Sequence, residues 1–181
     1  SMCSNEIFEV NKNTKNNYQS HYYLIHNETI TELKWAHIDP FFEGLASVKV
    51  NEKWGYINTH GRLVVRPIWE EAGPFREGLA PVKQGGKWGY IDTQGRLVIQ
   101  PVWDLTGGFS EGLAMVIEDK RRGYINPQGE VVIWPFYKES SFAQNKDEFL
   151  GFFKGGYVKV GVGYINTRGE IVFPRTLLKI P

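Results

Sequence analysis

The chain repeats one pattern every 34 residues, and this repeat limits it to folds built from similar stacked units. Phe41, Phe75 and Phe109 are separated by that step. The same step relates further aromatic, glycine and proline positions: Trp35, Trp69, Trp103 and Tyr137; Gly55, Gly89 and Gly123, each followed by tyrosine; Gly61, Gly95 and Gly129; and Pro67, Pro101 and Pro135. So many coinciding positions exclude chance and predict one structural unit copied along the chain.

The repeat organises the chain as a leader, residues 1–17, followed by one domain, residues 18–181. The leader is rich in Asn and Lys, and we expect it to be flexible and poorly ordered. The domain contains a degenerate half-repeat, four repeats and a final strand, at 18–40, 41–74, 75–108, 109–141, 142–174 and 175–181. The fourth repeat is irregular, because Gly163 lies 40 residues after Gly123. Its extra residues fall at 142–156, where 144–151 form either one helical turn or a loop.

The second repeat predicts a three-stranded antiparallel meander. Its strands are expected at 79–83, 88–92 and 97–100, which are rich in aromatic and β-branched residues. Glycines mark the two turns because they supply the positive φ of tight hairpins. Pro101 ends the third strand or lies at an edge. That strand has one strongly apolar face and one mixed face: Leu97, Ile99, Pro101 and Trp103 against Arg96, Val98, Gln100 and Val102.

A lone meander of this size is unstable in water, so the units must stack on one another. Two all-β architectures fit, a small propeller-like ring and an open twisted array. The half-repeat lacks its first strand and residues 175–180 resemble a lone strand, so pairing of the two ends would close a ring of about five blades. This complementarity favours the ring. The short connection from Pro174 to Leu177 keeps the open array as the alternative.

Composition excludes several classes of protein. Lys and Arg number 21 and Asp and Glu number 20, so the chain lacks the basic character of a nucleic-acid binder. No apolar run is long enough for a membrane span. Cys3 is the only cysteine, which excludes an internal disulfide and favours a reducing, cytoplasmic location. The alternative is a lipoprotein anchored through Cys3 after removal of a leader.

The segments Lys53–Asn58 and Lys87–Asp92, together with the flanking Glu-Gly-Leu-Ala runs and the Pro-x-Trp ends, resemble the WG (KWG) repeat family. The resemblance covers residues 41–137 well and 156–174 in part. It implies a mainly bacterial protein with a binding or scaffold role, and it carries no catalytic residues to transfer. The third repeat departs from the motif, because Arg122 replaces its tryptophan.

Residues that recur in every repeat are predicted to serve the fold. Glu43, Glu77 and Glu111 could in principle act as paired acid and base. Their recurrence beside a turn glycine instead indicates a structural role, such as accepting a backbone N–H hydrogen bond. The repeated tryptophans are likewise expected in the core between units, and the glycine after Trp54 and Trp88 indicates close approach of another backbone segment.

Residues that break the repeat are the candidate binding site. Trp134 and Phe136 replace Arg66 and Ile68, and an apolar insert follows among charged residues. Either these residues form one exposed patch that binds a partner, or the insert folds over Trp134 and caps the array. Lys120, Arg121 and Arg122 form a basic hairpin tip, which either contacts an acidic partner or phosphate or is a solvated turn. The candidate residues are Trp134, Phe136, Phe149, Phe152, Phe153, Phe173, Arg121 and Arg122.

These observations predict a non-enzymatic module that binds a protein or peptide, with no metal and no cofactor. The alternative is a carbohydrate-binding module with aromatic sites repeated in each unit. A small hydrolase that uses the repeated glutamates is the third hypothesis. A lectin-like array should keep identical exposed aromatics in every unit, whereas a protein-binding array should concentrate its departures in one patch. The departures here cluster from Trp134 onward.

Overall fold

The computed structural model describes residues 6–14, 17–26, 29–33, 35, 37–133, 153–160 and 163–172. Within these residues all regular structure is β, arranged as five antiparallel sheets. The N-terminal sheet consists of β1 (Glu6–Thr14), β2 (Asn17–His26) and β3 (Thr29–Leu33). The C-terminal sheet consists of β16 (Tyr157–Val160), β17 (Gly163–Asn166) and β18 (Ile171–Val172). The all-β fold built from 34-residue repeats is therefore confirmed.

Three four-stranded sheets lie between these two in the chain. Sheet A contains β4 (His37–Ile38), β5 (Leu45–Val50), β6 (Lys53–Asn58) and β7 (Leu63–Trp69). Sheet B contains β8 (Glu71–Ala72), β9 (Leu79–Gln84), β10 (Lys87–Asp92) and β11 (Leu97–Trp103). Sheet C contains β12 (Leu105–Thr106), β13 (Ala114–Glu118), β14 (Arg121–Ile125) and β15 (Val131–Ile133).

Each complete sheet has one strand more than the predicted three-stranded meander. The extra strand has two residues and pairs with the first long strand, as Glu71 does with Lys83. A strand this short shows no alternation of polar and apolar residues, so the sequence gives no signal for it. The predicted strands and turns are otherwise confirmed in sheet B, where β11 continues through Pro101 to Trp103.

The N-terminal sheet differs from the expected leader and half-repeat. Glu6–Thr14 form β1, which pairs with β2 from Glu6 opposite Ile25 to Thr14 opposite Asn17. The polar residues at 11–17 hid this hairpin from sequence analysis. The N-terminal sheet has its own first strand, so the structure removes the main reason for expecting the two chain ends to close a ring.

The pairing of the described strands agrees with the open array. Every ladder between them stays within one sheet, and none joins the N-terminal sheet to the C-terminal sheet. Residues 175–180, on which the predicted closure depends, lie outside the described residues, as do 144–151 of the insert.

The core lies between successive sheets and repeats with the sequence. Tyr56, Val65 and Trp69 of sheet A pack against Phe75 and Ile91 of sheet B in one cluster. Residues 34 positions later form the equivalent cluster between sheets B and C: Tyr90, Ile99, Trp103, Phe109 and Ile125. Trp69 and Trp103 are buried, and Trp54 and Trp88 are half-buried against these clusters. The prediction that the periodic tryptophans form the core is thus confirmed.

Glycine follows the motif tryptophan because a backbone strand passes directly beside it. A Cβ at Gly89 would lie 2.3 Å from the carbonyl oxygen of Ile99, and one at Gly55 would lie 2.4 Å from that of Val65. Both contacts fall where the pairing of the second and third long strands changes register. The predicted close approach is confirmed, and the approaching strand belongs to the same sheet.

Candidate binding surface

The third long strands, β7, β11 and β15, lie at one edge of their sheets and expose one face to solvent. Ile68 and Val102 are each 50% exposed, and the valines nearer the strand starts are exposed as well. Exposed and buried residues alternate, because Val65, Trp69, Ile99 and Trp103 point into the core. We call the exposed positions the edge stripe: Val64, Arg66, Ile68, Val98, Gln100, Val102 and Val132.

The edge stripe carries positive charge at its start. Arg66 lies between the exposed aliphatic side chains of Val64 and Ile68, and Arg62 precedes them as a further exposed residue. Neither arginine forms an ion pair with any residue in the described part of the chain. In sheet B, Arg96 is instead bound to Asp92 at 2.7 Å, and Gln100 occupies the position of Arg66. The stripe is therefore most basic on sheet A.

Proline restricts how a partner can use this edge. Pro67 and Pro101 lie inside β7 and β11 and offer no N–H to an added strand. Exposed edges with proline resist uncontrolled strand pairing.

The repeated glutamates connect successive sheets. The carboxylate of Glu43 accepts hydrogen bonds from the N–H groups of Glu77 and Gly78, at 2.6 and 2.9 Å. Glu77 accepts one from Gly112 at 2.9 Å, and Glu111 accepts from Gly155 and Gly156, both at 2.6 Å. The structural role predicted for these glutamates is confirmed. We call this series of contacts the glutamate ladder.

A second set of carboxylates holds the hairpin turns. Glu70, directly after β7, accepts hydrogen bonds from Gly85 and Gly86, and Asp104 accepts one from Asp119 at 2.8 Å. The N–H groups of Gly86 and Gly85 lower the pKa of Glu70, because they stabilise its charged form. Lys87 also contacts Asp104 and lowers its pKa. These acidic groups are engaged within the fold.

Phe153 lies in the core and not on the surface. It is 2% exposed, and its ring meets that of Tyr124 edge to face at 5.1 Å between centroids. Phe75 and Phe109 make the same contact with Tyr56 and Tyr90. Phe153 therefore takes the repeated phenylalanine position of the last unit, displaced by the insert. Its side chain is not available to a partner.

Arg121 and Arg122 begin β14, and the turn before them consists of Asp119 and Lys120. Arg121 is exposed and lies opposite Glu118 in the pairing of β13 with β14. Arg122 is half-buried and lies opposite Ile117. Arg122 takes the position of Trp88, which lies opposite Trp103 at the far end of the third long strand. The two arginines therefore belong to sheet C, at the start of the strand that pairs with its edge strand β15.

The other candidate residues, Trp134, Phe136, Phe149, Phe152 and Phe173, lie outside the described residues. The repeat nevertheless relates two of them to the edge stripe. Trp134 corresponds in sequence to Arg66 and Gln100, and Phe136 to Ile68 and Val102, all of which are exposed. The sequence could not identify the stripe in the first two units, because isolated valines and isoleucines at exposed strand positions resemble ordinary core residues.

The described residues lack two further features. No group of three or more His, Cys, Asp and Glu side chains is placed to hold a metal ion there. No helix in that part of the chain is long and apolar enough to cross a membrane.

The family model for the WG containing repeat matches residues 26–54, 54–88 and 88–121. These consecutive matches cover more than half of the chain, so the chain belongs to the WG repeat family. The comparison with curated proteins found no match.

Similar solved structures have low sequence identity. The crystal structure of HIRA(644-1017) has a TM-score of 0.42 and 9% identity, over 72% of this chain and 54% of that chain. Regucalcin from Agrobacterium tumefaciens str. C58, a calcium-binding protein, has a TM-score of 0.35 and 10% identity, over 84% of this chain and 65% of that one. This chain spans less than two thirds of the length of either.

Proposed function

We propose that this WG repeat array is a non-enzymatic module that binds an extended segment of a partner protein along the edge stripe. The observation that carries the proposal is the recurrence of an exposed aliphatic pair on the edge strands of two successive sheets, Val64 with Ile68 and Val98 with Val102. Exposed apolar residues that recur in this way supply the surface from which a partner site can be built. The sequence positions of Trp134 and Phe136 extend the same pattern with aromatic residues, which are enriched at interfaces.

Charge indicates the chemistry of the partner segment. Arg62 and Arg66 alternate with the aliphatic residues Val64 and Ile68 of sheet A, so acidic side chains in the partner would gain favourable contacts there. We therefore expect a segment that mixes apolar and acidic residues. Rim charges of this kind mainly raise the association rate, so the affinity should fall with added salt.

The carbohydrate alternative receives less support from the geometry. Trp69 and Trp103 are buried, and Trp88 is half-buried with Lys83 above its ring at 5.8 Å. The described units thus lack a repeated, fully exposed aromatic of the kind that stacks on sugars. The use of the glutamates within the fold likewise supports a non-enzymatic role over a hydrolase.

A peptide-display selection against the full chain tests the proposal. We expect the enriched peptides to combine acidic and apolar residues, and their binding to fall at least tenfold in Ile68→Glu and Val102→Glu. Leu105→Glu is the matched control, because Leu105 is 53% exposed on the short strand β12 and lies outside the edge stripe. Enrichment of basic peptides, or equal loss of binding in all three variants, would contradict the proposal. Glycan binding that persists in the stripe variants would favour the carbohydrate alternative.

A further inference from the structure

Sheets A, B and C each present a tyrosine to the sheet that follows them. Tyr56 and Tyr90 are fully buried and Tyr124 is 4% exposed, because a phenylalanine of the next sheet covers each ring. The three ring pairs have centroid distances of 4.8, 5.0 and 5.1 Å. Burial raises the pKa of Tyr56 and Tyr90 above the ordinary value.

The covering segment also supplies a hydrogen-bond acceptor. The hydroxyl of Tyr56 donates to the carbonyl oxygen of Gly73 at 2.8 Å, and that of Tyr90 donates to that of Gly107 at 2.6 Å. In both cases the acceptor lies two residues before the covering phenylalanine. The segments are Gly-Pro-Phe at 73–75 and Gly-Gly-Phe at 107–109. Two tyrosines of the array, Tyr56 and Tyr90, thus each bind a segment that provides a glycine carbonyl and, two residues later, a phenylalanine.

The C-terminal sheet has the same face, but no described sheet follows it. Tyr164 stands between Gly163 and Ile165 as Tyr124 stands between Gly123 and Ile125, yet it is 37% exposed. Tyr157 takes the position of Leu79 and is 47% exposed, whereas Leu79 is 8% exposed. Ile165 is 2% exposed and packs with sheet C, so the sheet is anchored on its other side. Tyr157 and Tyr164 thus form the same kind of recognition face, and no segment in the described part of the chain covers it as Phe75 covers Tyr56.

The glutamate ladder indicates what kind of occupant fits. Gly155 replaces the ladder glutamate in the last unit, so this unit receives hydrogen bonds from Glu111 but has no carboxylate to clamp another turn. A further complete unit would lose the contact that joins sheet A to sheet B, sheet B to sheet C and sheet C to the C-terminal sheet. A short segment that supplies only a carbonyl for the tyrosine hydroxyl and a phenylalanine for the tyrosine ring does not need the glutamate contact.

We propose that the face formed by Tyr157 and Tyr164 is a docking site for an extended segment of a partner protein that carries Gly-Pro-Phe or Gly-Gly-Phe. The phenylalanine packs against the ring of Tyr164, and the Tyr164 hydroxyl donates to the carbonyl of the glycine. This site is separate from the edge stripe and does not depend on the proposed function of that surface.

The probe is a fluorescently labelled peptide with the sequence of residues 71–79, Glu-Ala-Gly-Pro-Phe-Arg-Glu-Gly-Leu, titrated against the full chain. We expect saturable binding that Tyr164→Phe weakens about 2- to 10-fold, the range for one neutral hydrogen bond. Tyr164→Ala should abolish it. The matched control is Tyr90→Phe, which removes the same hydroxyl from a buried position and should leave peptide affinity unchanged.

A peptide in which alanine replaces the phenylalanine is the second control and should not bind. Circular dichroism of each variant checks that the fold is kept. The proposal is overturned if the peptide does not bind, if the alanine peptide binds equally, or if both Tyr164 variants keep full affinity. It is also overturned if sedimentation shows that the chain self-associates and that Tyr164→Ala makes it monomeric, because the face would then be covered by a second copy.

Discussion

Seven non-glycine residues of the described chain have positive φ, and all of them lie in two-residue hairpin turns. Glu43, Glu77 and Glu111 take this conformation at φ values from 51° to 53°. A left-handed residue with a Cβ costs about 1 to 2 kcal/mol. In these glutamates the hydrogen bonds of the ladder offset that cost. The strained conformation therefore occurs at residues whose side chains join one sheet to the next.

Glu52 has the same strain without such a contact. It has a φ of 64°, at the position where sheet B has Gly86, and its side chain is 88% exposed in an ion pair with Lys49. We expect Glu52→Gly to stabilise the fold by about 1 kcal/mol, since glycine accepts positive φ and an exposed ion pair contributes little. Urea unfolding measures the change.

Glu52→Ala is the control for this turn, because it removes the ion pair but keeps the Cβ. It should be no more stable than the unchanged chain. Equal stability of the glycine and alanine variants would show that backbone strain at this position is unimportant.

At the scale of strands and sheets, the sequence predicts the long strands better than the connections between them. The alternation of apolar and mixed residues predicts the two faces of β11. Glycine in the sequence predicts the turns at Gly85 and Gly95, where the structure has positive φ. The two-residue strands and β1 carry no comparable pattern. The partner of each ladder glutamate could not be predicted either, because the contact depends on how one sheet stacks on the next.

Glu111 is the ladder member that holds the C-terminal sheet. Glu111→Gln keeps one acceptor oxygen but loses the charge and the second acceptor for Gly155 and Gly156. We expect a destabilisation of about 1 kcal/mol, discounted for solvent exposure. Amide hydrogen exchange should become faster at Gly155 and Gly156 and remain unchanged in β9 and β10.

Glu130→Gln is the matched control for the ladder. Glu130 is also an exposed glutamate of sheet C, but its carboxylate bonds Asn126 within its own turn. If the two variants change exchange at Gly155 equally, the ladder does not hold the C-terminal sheet.

At the scale of the whole molecule, the repeat predicts stacking but not the identity of the surfaces it leaves open. The aliphatic residues of the edge stripe and the tyrosines at 157 and 164 are of residue types that are buried elsewhere in the array. Only their place at a sheet edge or at the last described sheet exposes them. Residues that break a repeat, such as those of the insert with Phe153, are visible in the sequence, whereas repeat residues that are left uncovered are not.

The same stacking predicts that one internal sheet can be removed without loss of the fold. Deletion of residues 71–104, one repeat length, joins Glu70 to Leu105 and reproduces the natural junction after Asp104. Tyr56 would then meet Phe109 in place of Phe75, and Val65 would meet Gly129 in place of Gly95. Each lost contact is replaced by one of the same kind, because stability in such arrays depends on neighbouring units.

We expect this shortened chain to unfold cooperatively, with lower stability and a smaller urea m-value, since it exposes less surface on unfolding. Deletion of 75–104 is the control, because it leaves β8 directly before β12 and so places two short strands in succession. That variant should lose cooperative unfolding. If both deletions unfold alike, the sheets do not act as interchangeable units, and the stacking interfaces are specific to each pair.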